Sequence, residues 1–428
     1  MNVCVVALGK IGLPVAVQIA SKGHRVIGCD VDAGVVASVN AGTPPFRGEA
    51  GLDELLAQVT RDGNLTATTD VTGTVGASDV VVVLVPLSVD ASAKPDFAAL
   101  DTATASIGSG LQPDTLVVYE TTLPVGVTRQ RLAPALAAAS GLTPGRDLFV
   151  AFSPERVRSG RILSDLRRYP KIVGGIDDES TARAVRFYEA VLDFDPRPDL
   201  TRGNGVWAMG SAEEAELAKL TDTTYRDVNI ALANEFAQYA DRIGADIGRV
   251  IKAANSQLQA YILDPGMVGG HCIPVYPHLY LSGDPEARLP ALGRAVNDAV
   301  PAYAVSRLGG AVGDLAGRRV AVLGLAYRGG VKEAAFSGAF GLVAELVRVG
   351  AEPVVHDPLY TDDEIRAFGL TPYHLGDPVD AAIVQADHAE YRTLAPDDLP
   401  GAHALLDASD VTDPARWTGV ARLLLGRP

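Results

Sequence analysis

One cysteine lies in a stretch of residues suited to covalent chemistry, Asp264-Pro-Gly-Met-Val-Gly-Gly-His-Cys-Ile-Pro-Val275. A thiolate is a good nucleophile, and Gly269 and Gly270 carry no side chains, so a substrate can approach the backbone before Cys272 closely. A nucleotide-binding pattern opens the same chain. A thiol combined with a hydride acceptor predicts oxidation of an alcohol through an aldehyde to an acid, with the thiol holding the aldehyde covalently. The alternative is a packed, inert cysteine in a loop rich in glycine and proline.

The nucleotide-binding pattern is Ala7-Leu-Gly-Lys-Ile-Gly12, which follows a short apolar segment. In the dinucleotide fingerprint Gly-x-Gly-x-x-Gly, Gly9 stands where the backbone approaches the pyrophosphate and Gly12 where helix and strand pack. Ala7 replaces the first glycine, a mild departure at a tight turn. Asp30 ends the next predicted strand, where an acid binds a ribose 2′-hydroxyl and repels a 2′-phosphate, and no arginine follows directly. The pattern predicts NAD rather than NADP; the alternative is a nucleotide-free domain in which Asp30 caps a loop.

The surrounding elements predict an α/β fold with two Rossmann-like domains, each with a parallel sheet, joined by a long central helix. Short apolar segments alternate with helical patterns, which is typical of a doubly wound parallel sheet. Residues 211–243 contain no proline or glycine and predict the long helix; about 30 helical residues span roughly 45 Å at 1.5 Å per residue. Strand, Gly324, helix, Gly350, strand and Asp357 then repeat the order of the opening segment, which predicts the second Rossmann-like domain.

Composition argues against several classes of function. The 428 residues suffice for two to three domains, and the formal net charge of -15 argues against a nucleic-acid partner. The three cysteines are an odd number, without Cys-x-x-Cys or His-x-x-x-His pairs, so we expect a reduced, cytoplasmic protein without a metal site. No signal peptide precedes the first predicted strand, and no apolar run reaches the roughly 18–20 residues that cross a membrane, so we expect no membrane partner.

The opening fingerprint, the long helix and Cys272 together resemble the UDP-glucose/GDP-mannose dehydrogenase family of nucleotide-sugar 6-dehydrogenases. The likeness covers nearly the whole chain and is greatest to the branch acting on UDP-N-acetylhexosamines, the UDP-N-acetyl-D-mannosamine dehydrogenase-like branch. The matching blocks are Gly12-Leu-Pro14, Val118-Tyr-Glu-Thr-Thr122, Phe152-Ser-Pro-Glu-Arg-Val157, Ala215-Glu-Leu-Ala-Lys219, Tyr225-Arg-Asp-Val-Asn-Ile-Ala231, Gly269-Gly-His-Cys-Ile-Pro274, Leu323-Gly-Leu-Ala-Tyr327 and His356-Asp-Pro358.

The resemblance implies NAD-dependent oxidation of the C6 alcohol of a UDP-sugar to the carboxylate, with two NAD+ consumed for each sugar. It also implies three domains: an N-terminal NAD-binding Rossmann domain at 1–205, a central helical dimerisation domain at 206–308 and a C-terminal Rossmann-like UDP-sugar-binding domain at 309–428. The central domain would carry the catalytic lysine and cysteine. The protein is then expected to form a homodimer through the central helix.

Five residues stand at catalytic positions of the family. Cys272 is then the nucleophile that forms the thiohemiacetal and the thioester, and Lys219 stabilises the alkoxide that develops in the first hydride transfer. Glu155 is then the general base for thioester hydrolysis, and Thr122 positions a water near the nicotinamide. Thr223 stands where the family usually has an asparagine. The alternatives are a solvated helix lysine for Lys219 and a helix N-terminal acid for Glu155.

Further residues stand at binding positions of the family. Arginine suits diphosphate recognition, although each arginine could also form a structural ion pair or a dimer contact. The expected NAD-binding residues are Gly9, Lys10, Ile11, Gly12, Asp30, Val85, Pro86 and Thr122. The expected substrate-binding residues are Glu155, Arg156, Val157, Arg161, Lys219, Arg226, Asn229, Gly269, Gly270 and Tyr327.

Several positions depart from the family pattern. Besides Thr223, Tyr276 stands where the family usually has an aspartate, and Ala335 where an arginine is expected. These changes leave the sugar open, so UDP-glucose and a modified nucleotide sugar are alternative substrates. A two-electron dehydrogenase of the β-hydroxyacid type and a non-catalytic nucleotide-sugar-binding protein are further alternatives. Counts of two, one or no NADH for each sugar distinguish the three classes.

Overall fold

The computed structural model describes residues 1–427, and its chain forms two compact units. The first unit is Met1–Asp222, and the second begins at Thr223. The division into three domains, with boundaries after residues 205 and 308, stays a prediction.

The first unit is an α/β structure in which strands and helices alternate. Its strands are β1 Asn2–Val6, β2 Arg25–Cys29, β3 Leu65–Thr68, β4 Val80–Val83, β5 Ser88–Val89, β6 Pro95–Asp96, β7 Thr115–Tyr119, β8 Leu148–Phe152, β9 Lys171–Gly175 and β10 Val206–Ala208. Its helices are α1 Gly12–Ser21, α2 Ala33–Asn40, α3 Leu52–Arg61, α4 Val71–Val75, α5 Ala98–Gly110, α6 Ala133–Ser140, α7 Ile162–Arg168 and α8 Asp178–Val191, with a π-helical turn at Thr128–Leu132. The long predicted helix is α9, Ala212–Ile243, which contains the boundary between the units.

The strands of the first unit form one large sheet. Among the described residues, eight strands pair in the order β10-β9-β8-β7-β4-β1-β2-β3. All neighbours are parallel except β8 and β9, which pair antiparallel with Phe152 opposite Gly174. The predicted parallel sheet is confirmed for six strands, whereas β9 and β10 run in the opposite direction. The first residue of β9 therefore lies at the edge where β7 and β8 end.

Burial on both faces explains why the central strands are apolar without alternation. Every residue of β4 and of β7 is buried. Val81, Val82 and Val83 are fully buried, and burying each such side chain stabilises the fold by about 1.5–3 kcal/mol. The same core continues onto α1 through Leu13 and Ile19.

The second unit contains a helical segment followed by a smaller α/β structure. Its helices after α9 are α10 Ile247–Ala254, α11 Tyr276–Gly283, α12 Arg288–Asp298, α13 Val300–Val312, α14 Gly338–Arg348 and α15 Asp362–Ala367, with 3-10 turns at Ala389–Thr393, Pro396–Asp398 and Pro414–Arg416. Its strands are β11 Arg319–Leu323, β12 Glu352–His356, β13 Ala381–Val384, β14 Ala404–Asp407 and β15 Ala421–Leu424. They form a parallel sheet in the order β12-β11-β13-β14-β15.

The predicted repeat of the opening segment is visible in matching hydrogen bonds. The amide of Leu8 donates to Asp30 Oδ2 at 2.8 Å, and in the second unit the amide of Leu325 donates to Asp357 Oδ2 at 2.8 Å. In both units, an aspartate at the end of the second strand therefore holds the turn that follows the first strand. The Asp357 carboxylate is also held by His388 Nε2 at 3.1 Å.

Residues 1–427 contain neither a candidate membrane-spanning helix nor a candidate metal cluster. No helix in this part of the chain is both long and apolar enough to span a membrane. Within the same residues, no group of three or more histidine, cysteine, aspartate or glutamate side chains has a geometry that could hold a metal ion.

Candidate active site

The turn after β1 has a strained residue at the position of the first fingerprint glycine. Ala7 has φ +75°, in the left-handed region, which costs an L-residue about 1–2 kcal/mol. A Cβ atom on Gly12 would lie 1.9 Å from the Ala7 carbonyl oxygen, so α1 can begin there only with glycine. A Cβ atom on Gly9 would meet nothing within 4 Å. The turn is therefore open at Gly9 and tightly packed at Gly12, as the fingerprint predicts.

The Asp30 carboxylate accepts hydrogen bonds from two backbone amides. Its Oδ2 accepts from the Leu8 amide at 2.8 Å and its Oδ1 accepts from the Asp32 amide at 3.0 Å. Asp30 therefore caps this loop. Carboxylate oxygens can accept more than one hydrogen bond, so capping does not exclude a ribose contact.

The carboxyl ends of β4 and β7 bring two further predicted regions together. Thr121 Oγ1 donates to the carbonyl oxygen of Val85 at 2.6 Å. Thr122 is 5% exposed, and Pro86 is exposed. Doubly wound sheets bind ligands at this edge of the sheet.

Lys219 is buried in the first unit and contacts the segment that contains Glu155. Its side chain is 7% exposed, and its Nζ donates to the carbonyl oxygen of Glu155 at 2.7 Å. The solvated-lysine alternative is therefore wrong. The Glu155 side chain forms a short ion pair with Lys171 Nζ.

Lys171 belongs to a buried cluster of four titratable side chains, Glu120, Glu155, Lys171 and Tyr188. The sequence motifs pointed to Glu155 but not to the other three. Lys171 Nζ also lies 3.1 Å from Glu120 Oε1, to which the Tyr188 hydroxyl donates. Burial raises the pKa of Glu120 to about 8, although the ammonium of Lys171 opposes this shift. The available signal was a lysine at the start of the apolar segment Lys171-Ile-Val-Gly-Gly, because a charge beside a buried strand needs a partner.

Glu216 is a second residue that motif analysis missed. It is fully buried on α9, and its carboxylate accepts from the amides of Gly126 and Thr128, at 2.5 and 2.9 Å, and from Thr128 Oγ1 at 2.6 Å. Glu216 and Lys219 are three residues apart and so lie on one face of α9. Through them, this face holds the segment after Thr122 and the segment of Glu155.

Two of the predicted substrate-binding arginines have partners within the first unit. Arg156 donates to the Pro170 carbonyl oxygen at 2.6 Å, and burial lowers its pKa. Arg161 Nε lies 3.2 Å from Asp165 Oδ2. Arg161 therefore forms the structural ion pair that was the alternative to substrate binding.

The loop of Arg161 is held by Glu49 and by the core. The Glu49 carboxylate accepts from the amides of Gly160, at 2.7 Å, and Ile162. Val157, another predicted substrate contact, packs against the core of the first unit. These contacts fix the loop that follows Glu155.

Cys272 is exposed in the second unit, whereas Cys4 and Cys29 are fully buried. Cys272 Sγ lies 3.7 Å from the hydroxyl of Tyr276, the first residue of α11, and the Tyr276 amide donates to the Cys272 carbonyl oxygen at 2.9 Å. The phenol therefore occupies the place beside the thiol where an aspartate was expected. His271 is exposed, and its Nε2 lies 3.4 Å from Glu333 Oε2.

The glycine pair before Cys272 packs against Tyr327. A Cβ atom on Gly269 would lie 2.7 Å from Tyr327 Cβ and 3.0 Å from the Phe336 carbonyl oxygen. Gly270 has φ +87°, and its Cβ atom would lie 3.1–3.3 Å from the Tyr327 ring. Packing within the chain therefore requires both glycines, apart from any approach of a substrate.

Asn229 positions the segment leading to Cys272. Its Oδ1 accepts from the Leu263 amide at 2.9 Å, and its Nδ2 donates to the Tyr261 carbonyl oxygen at 2.6 Å. The neighbouring Arg226 is exposed, and Thr223 is 6% exposed. Asn229 thus has a structural role that the sequence pattern did not indicate.

Models of one protein family match most of this chain. For the UDP-glucose/GDP-mannose dehydrogenase family, the NAD-binding domain matches residues 1–192, the central domain residues 213–298 and the UDP-binding domain residues 321–414.

Individual relatives cover most of the chain. The UDP-N-acetyl-D-mannosamine dehydrogenase of Pyrococcus horikoshii is 33% identical over 403 residues, 92% of this chain and 91% of the relative. The solved structure of UDP-D-ManNAc dehydrogenase from Pyrococcus horikoshii has a TM-score of 0.88 at 30% identity and covers 100% of this chain and 99% of its own. An NDP-N-acetyl-D-galactosaminuronic acid dehydrogenase of Ralstonia nicotianae is 34% identical over 355 residues, 81% of this chain and 80% of the relative. The chain therefore belongs to the UDP-glucose/GDP-mannose dehydrogenase family, whose members are NAD-dependent nucleotide-sugar dehydrogenases.

Proposed function

We propose that this chain oxidises the C6 alcohol of a UDP-sugar to the uronic acid in two NAD-dependent steps, through a thiohemiacetal and a thioester on Cys272. The observation that carries the proposal is the exposure of Cys272, in a chain whose other two cysteines are fully buried. An exposed thiol in a loop is available to an aldehyde carbon, whereas a buried thiol is inert.

The turn after β1 fits NAD. Open space at Gly9, the N-terminus of α1 and the carboxylate of Asp30 suit a pyrophosphate and a ribose. We assign Lys10, Ile11 and Gly12 to the same group, with Val85, Pro86 and Thr122 at the carboxyl edge of the sheet. Bound NAD+ supplies the acceptor for each hydride.

Lys219 and Glu155 take the charge-stabilising and proton-accepting roles. A buried ammonium stabilises a developing alkoxide more than a solvated one does, because water screens it less. The Lys219 side chain is held by the Glu155 carbonyl oxygen. Glu155 then takes a proton from the water that hydrolyses the thioester, and Thr122 positions that water. Thr223, buried on α9, offers a hydroxyl as a hydrogen-bond donor.

A UDP-N-acetylhexosamine, such as UDP-N-acetylmannosamine, is the substrate that we favour. The family model of the UDP-binding domain and the relative from Pyrococcus horikoshii support this choice. UDP-glucose and a modified nucleotide sugar are alternatives, since Tyr276 and Ala335 depart from the family pattern. We assign substrate contacts to Glu155, Arg156, Val157, Arg161, Lys219, Arg226, Asn229, Gly269, Gly270 and Tyr327.

We also propose a homodimer through α9. Its exposed apolar side chains include Leu232, Phe236, Tyr239 and Ile243, which are 38–58% exposed. Their spacing of four, three and four residues puts them on one face of the helix. A second copy of the chain would bury this face. Tyr239→Glu should then shift the mass measured by light scattering from that of a dimer towards that of a monomer; an unchanged dimer would refute this interface.

The activity is tested with a panel of UDP-sugars and NAD+, by counting NADH and measuring product mass. Two NADH for each sugar and a uronic acid support the proposal. One NADH would indicate the two-electron dehydrogenase, and binding of UDP-sugar without NADH would indicate a non-catalytic protein.

The covalent role is tested with Cys272→Ser, with Cys4→Ala as the control for loss of a buried thiol. Formation of uronic acid should collapse in Cys272→Ser and persist in Cys4→Ala. An undiminished yield of uronic acid from Cys272→Ser would contradict the covalent route.

A further inference from the structure

The cluster of Glu120, Glu155, Lys171 and Tyr188 has no assigned role beyond Glu155. The side chains of Lys171, Glu120 and Glu155 are 5%, 0% and 9% exposed. Lys171 also lies over the Tyr188 ring, with Nζ 4.6 Å from the ring centroid. Two carboxyl groups, one ammonium and one phenol are therefore enclosed together in the first unit.

The reversed strand β9 brings this cluster together. Phe152 faces Gly174 across the antiparallel pair. Glu155 is three residues after Phe152 and Lys171 three residues before Gly174, so the same register leads to both. Glu120 directly follows β7, the other neighbour of β8. Because strand pairing fixes these positions, the Lys171 ammonium can reach the carboxyl groups of both Glu120 and Glu155.

The charges around Glu120 favour an extra proton in this cluster. Lys219 contacts the Glu155 carbonyl oxygen and Arg156 also lies near Glu155. Glu120, by contrast, is paired with Lys171, which it shares with Glu155. An uncompensated buried charge costs several kcal/mol. Burial opposes the charge on Lys171, but the two carboxylates outweigh it and raise its pKa, so the ammonium form persists. Burial raises the pKa of Tyr188 well above its ordinary value, so the phenol stays neutral. The proton therefore belongs to a carboxyl group.

Glu120 is the carboxyl group suited to keep that proton. Its Oε1 faces Lys171 and the hydroxyl of Tyr188, while its Oε2 is buried and has no hydrogen-bond partner among the described residues. An unpartnered buried carboxylate oxygen is costly, whereas a protonated one carries no charge. The titratable groups that face Glu120 are Lys171, Glu155 and Tyr188.

We propose that Lys171 and Glu120 are positioning residues that act through Glu155: Glu120 stores a proton, which leaves the Lys171 ammonium to hold the Glu155 carboxylate in one orientation for hydrolysis of the thioester. This inference rests on the proposed function. In that step, the water oxygen bonds to the acyl carbon, the carbon–sulfur bond breaks, and Cys272 leaves as a thiolate. Glu155 takes one proton from the water, and the thiolate takes up one proton from solvent as Glu155 releases its own, so water and thioester become acid and thiol.

Infrared spectroscopy of the full chain tests the stored proton without a measurement of activity. A protonated carboxyl group absorbs separately from a carboxylate. Glu216 is a second buried carboxyl group, with its pKa raised to about 7, so the spectrum of Glu120→Gln is subtracted from that of the parent at each pH. We expect this difference spectrum to contain one carboxyl band that disappears as the pH rises through about 8. The absence of such a band from the difference spectrum would overturn the proposal.

The positioning role is tested in a single turnover, by following NADH and the mass of the Cys272 adduct. In Lys171→Met, decay of the thioester should slow about tenfold more than the first hydride transfer, a fraction of the usual general-base contribution. Lys171→Arg should restore part of this loss. Lys22→Met, which removes a partly buried lysine paired with Asp193, is the matched control. Equal slowing of both steps in Lys171→Met would indicate a merely structural role and refute the inference.

The pH profile separates this inference from the proposed function. In the parent, the rate of thioester decay should fall near pH 8, because Glu120 ionises there and competes with Glu155 for Lys171. Glu120→Gln should not show this fall in rate. The same profile in both proteins would overturn the inference even if Lys171→Met fails to fold. If the parent forms no adduct on Cys272, the proposed function is wrong and the positioning role falls with it, while the infrared band still decides whether Glu120 stores a proton.

Discussion

Replacement of Gly270 by alanine tests the packing of the loop that carries Cys272. Gly270 has φ +87°, and an added Cβ atom would lie 3.1–3.3 Å from three atoms of the Tyr327 ring. The left-handed backbone costs an alanine about 1–2 kcal/mol. Pushing the ring away adds about 1 kcal/mol, at the low end of overpacking costs. The smaller conformational entropy of alanine in the unfolded chain offsets part of the backbone cost and leaves about 0.5–1 kcal/mol. We therefore expect Gly270→Ala to lower the free energy of unfolding of the second unit by about 1.5–2 kcal/mol.

The two contributions are separated by a double-mutant cycle with Tyr327→Ala. Without the ring, the alanine at position 270 should cost only the net backbone effect, about 0.5–1 kcal/mol. The coupling energy between the two positions is then about 1 kcal/mol, which is large enough to measure.

Unfolding in urea is followed by the fluorescence of Trp417, which is 7% exposed in the second unit. The chain has two tryptophans, so Trp207→Phe in all variants makes this signal specific. Gly310→Ala is the control, because Gly310 lies in α13 without a positive φ and an added Cβ atom meets nothing within 4 Å. It should stabilise the unit by about 0.5–1 kcal/mol. A Gly270→Ala variant as stable as its parent, or a coupling energy near zero, would refute the packing on Tyr327.

Three further outcomes are expected. Ala7→Gly should raise the free energy of unfolding by about 0.5–1 kcal/mol, since relief of the left-handed strain exceeds the entropy of glycine in the unfolded chain; a loss of stability in urea would contradict this. The pKa of Glu120 is raised to about 8, so the folded state binds more protons than the unfolded state between about pH 4.5 and 8. In this range the contribution of Glu120 to the free energy of unfolding therefore falls as the pH rises, by at most about 1.4 kcal/mol per pH unit. Glu120→Gln should show a correspondingly flatter stability profile, and identical slopes would argue against the shift. Iodoacetamide should label the native chain once, at Cys272, and Cys4 and Cys29 only after denaturation, as mass spectrometry of the peptides would show; labelling of either buried thiol in the native chain would contradict their burial.

Local patterns predicted the features whose cause is local. The glycine at position 12 and the acid at position 30 follow from a turn that only certain residues can form, and both contacts are present. The absence of proline and glycine from 211 to 243 predicted α9 almost to the residue. The strain at Ala7 was underestimated, because the sign of φ depends on the turn as a whole.

By itself, the sequence determined the α/β class, the repeated turn that ends in an aspartate, the long helix and the family. These features depend on residue types and on spacings of a few residues, so they can be predicted before the tertiary structure is known. Only the tertiary structure decided that β9 runs against β8, so that Lys171 meets Glu120 and Glu155, and that Tyr327 occupies the space beside Gly269 and Gly270. Such contacts join residues far apart in the chain, and strand direction and side-chain packing, which create them, leave no periodic trace in the sequence.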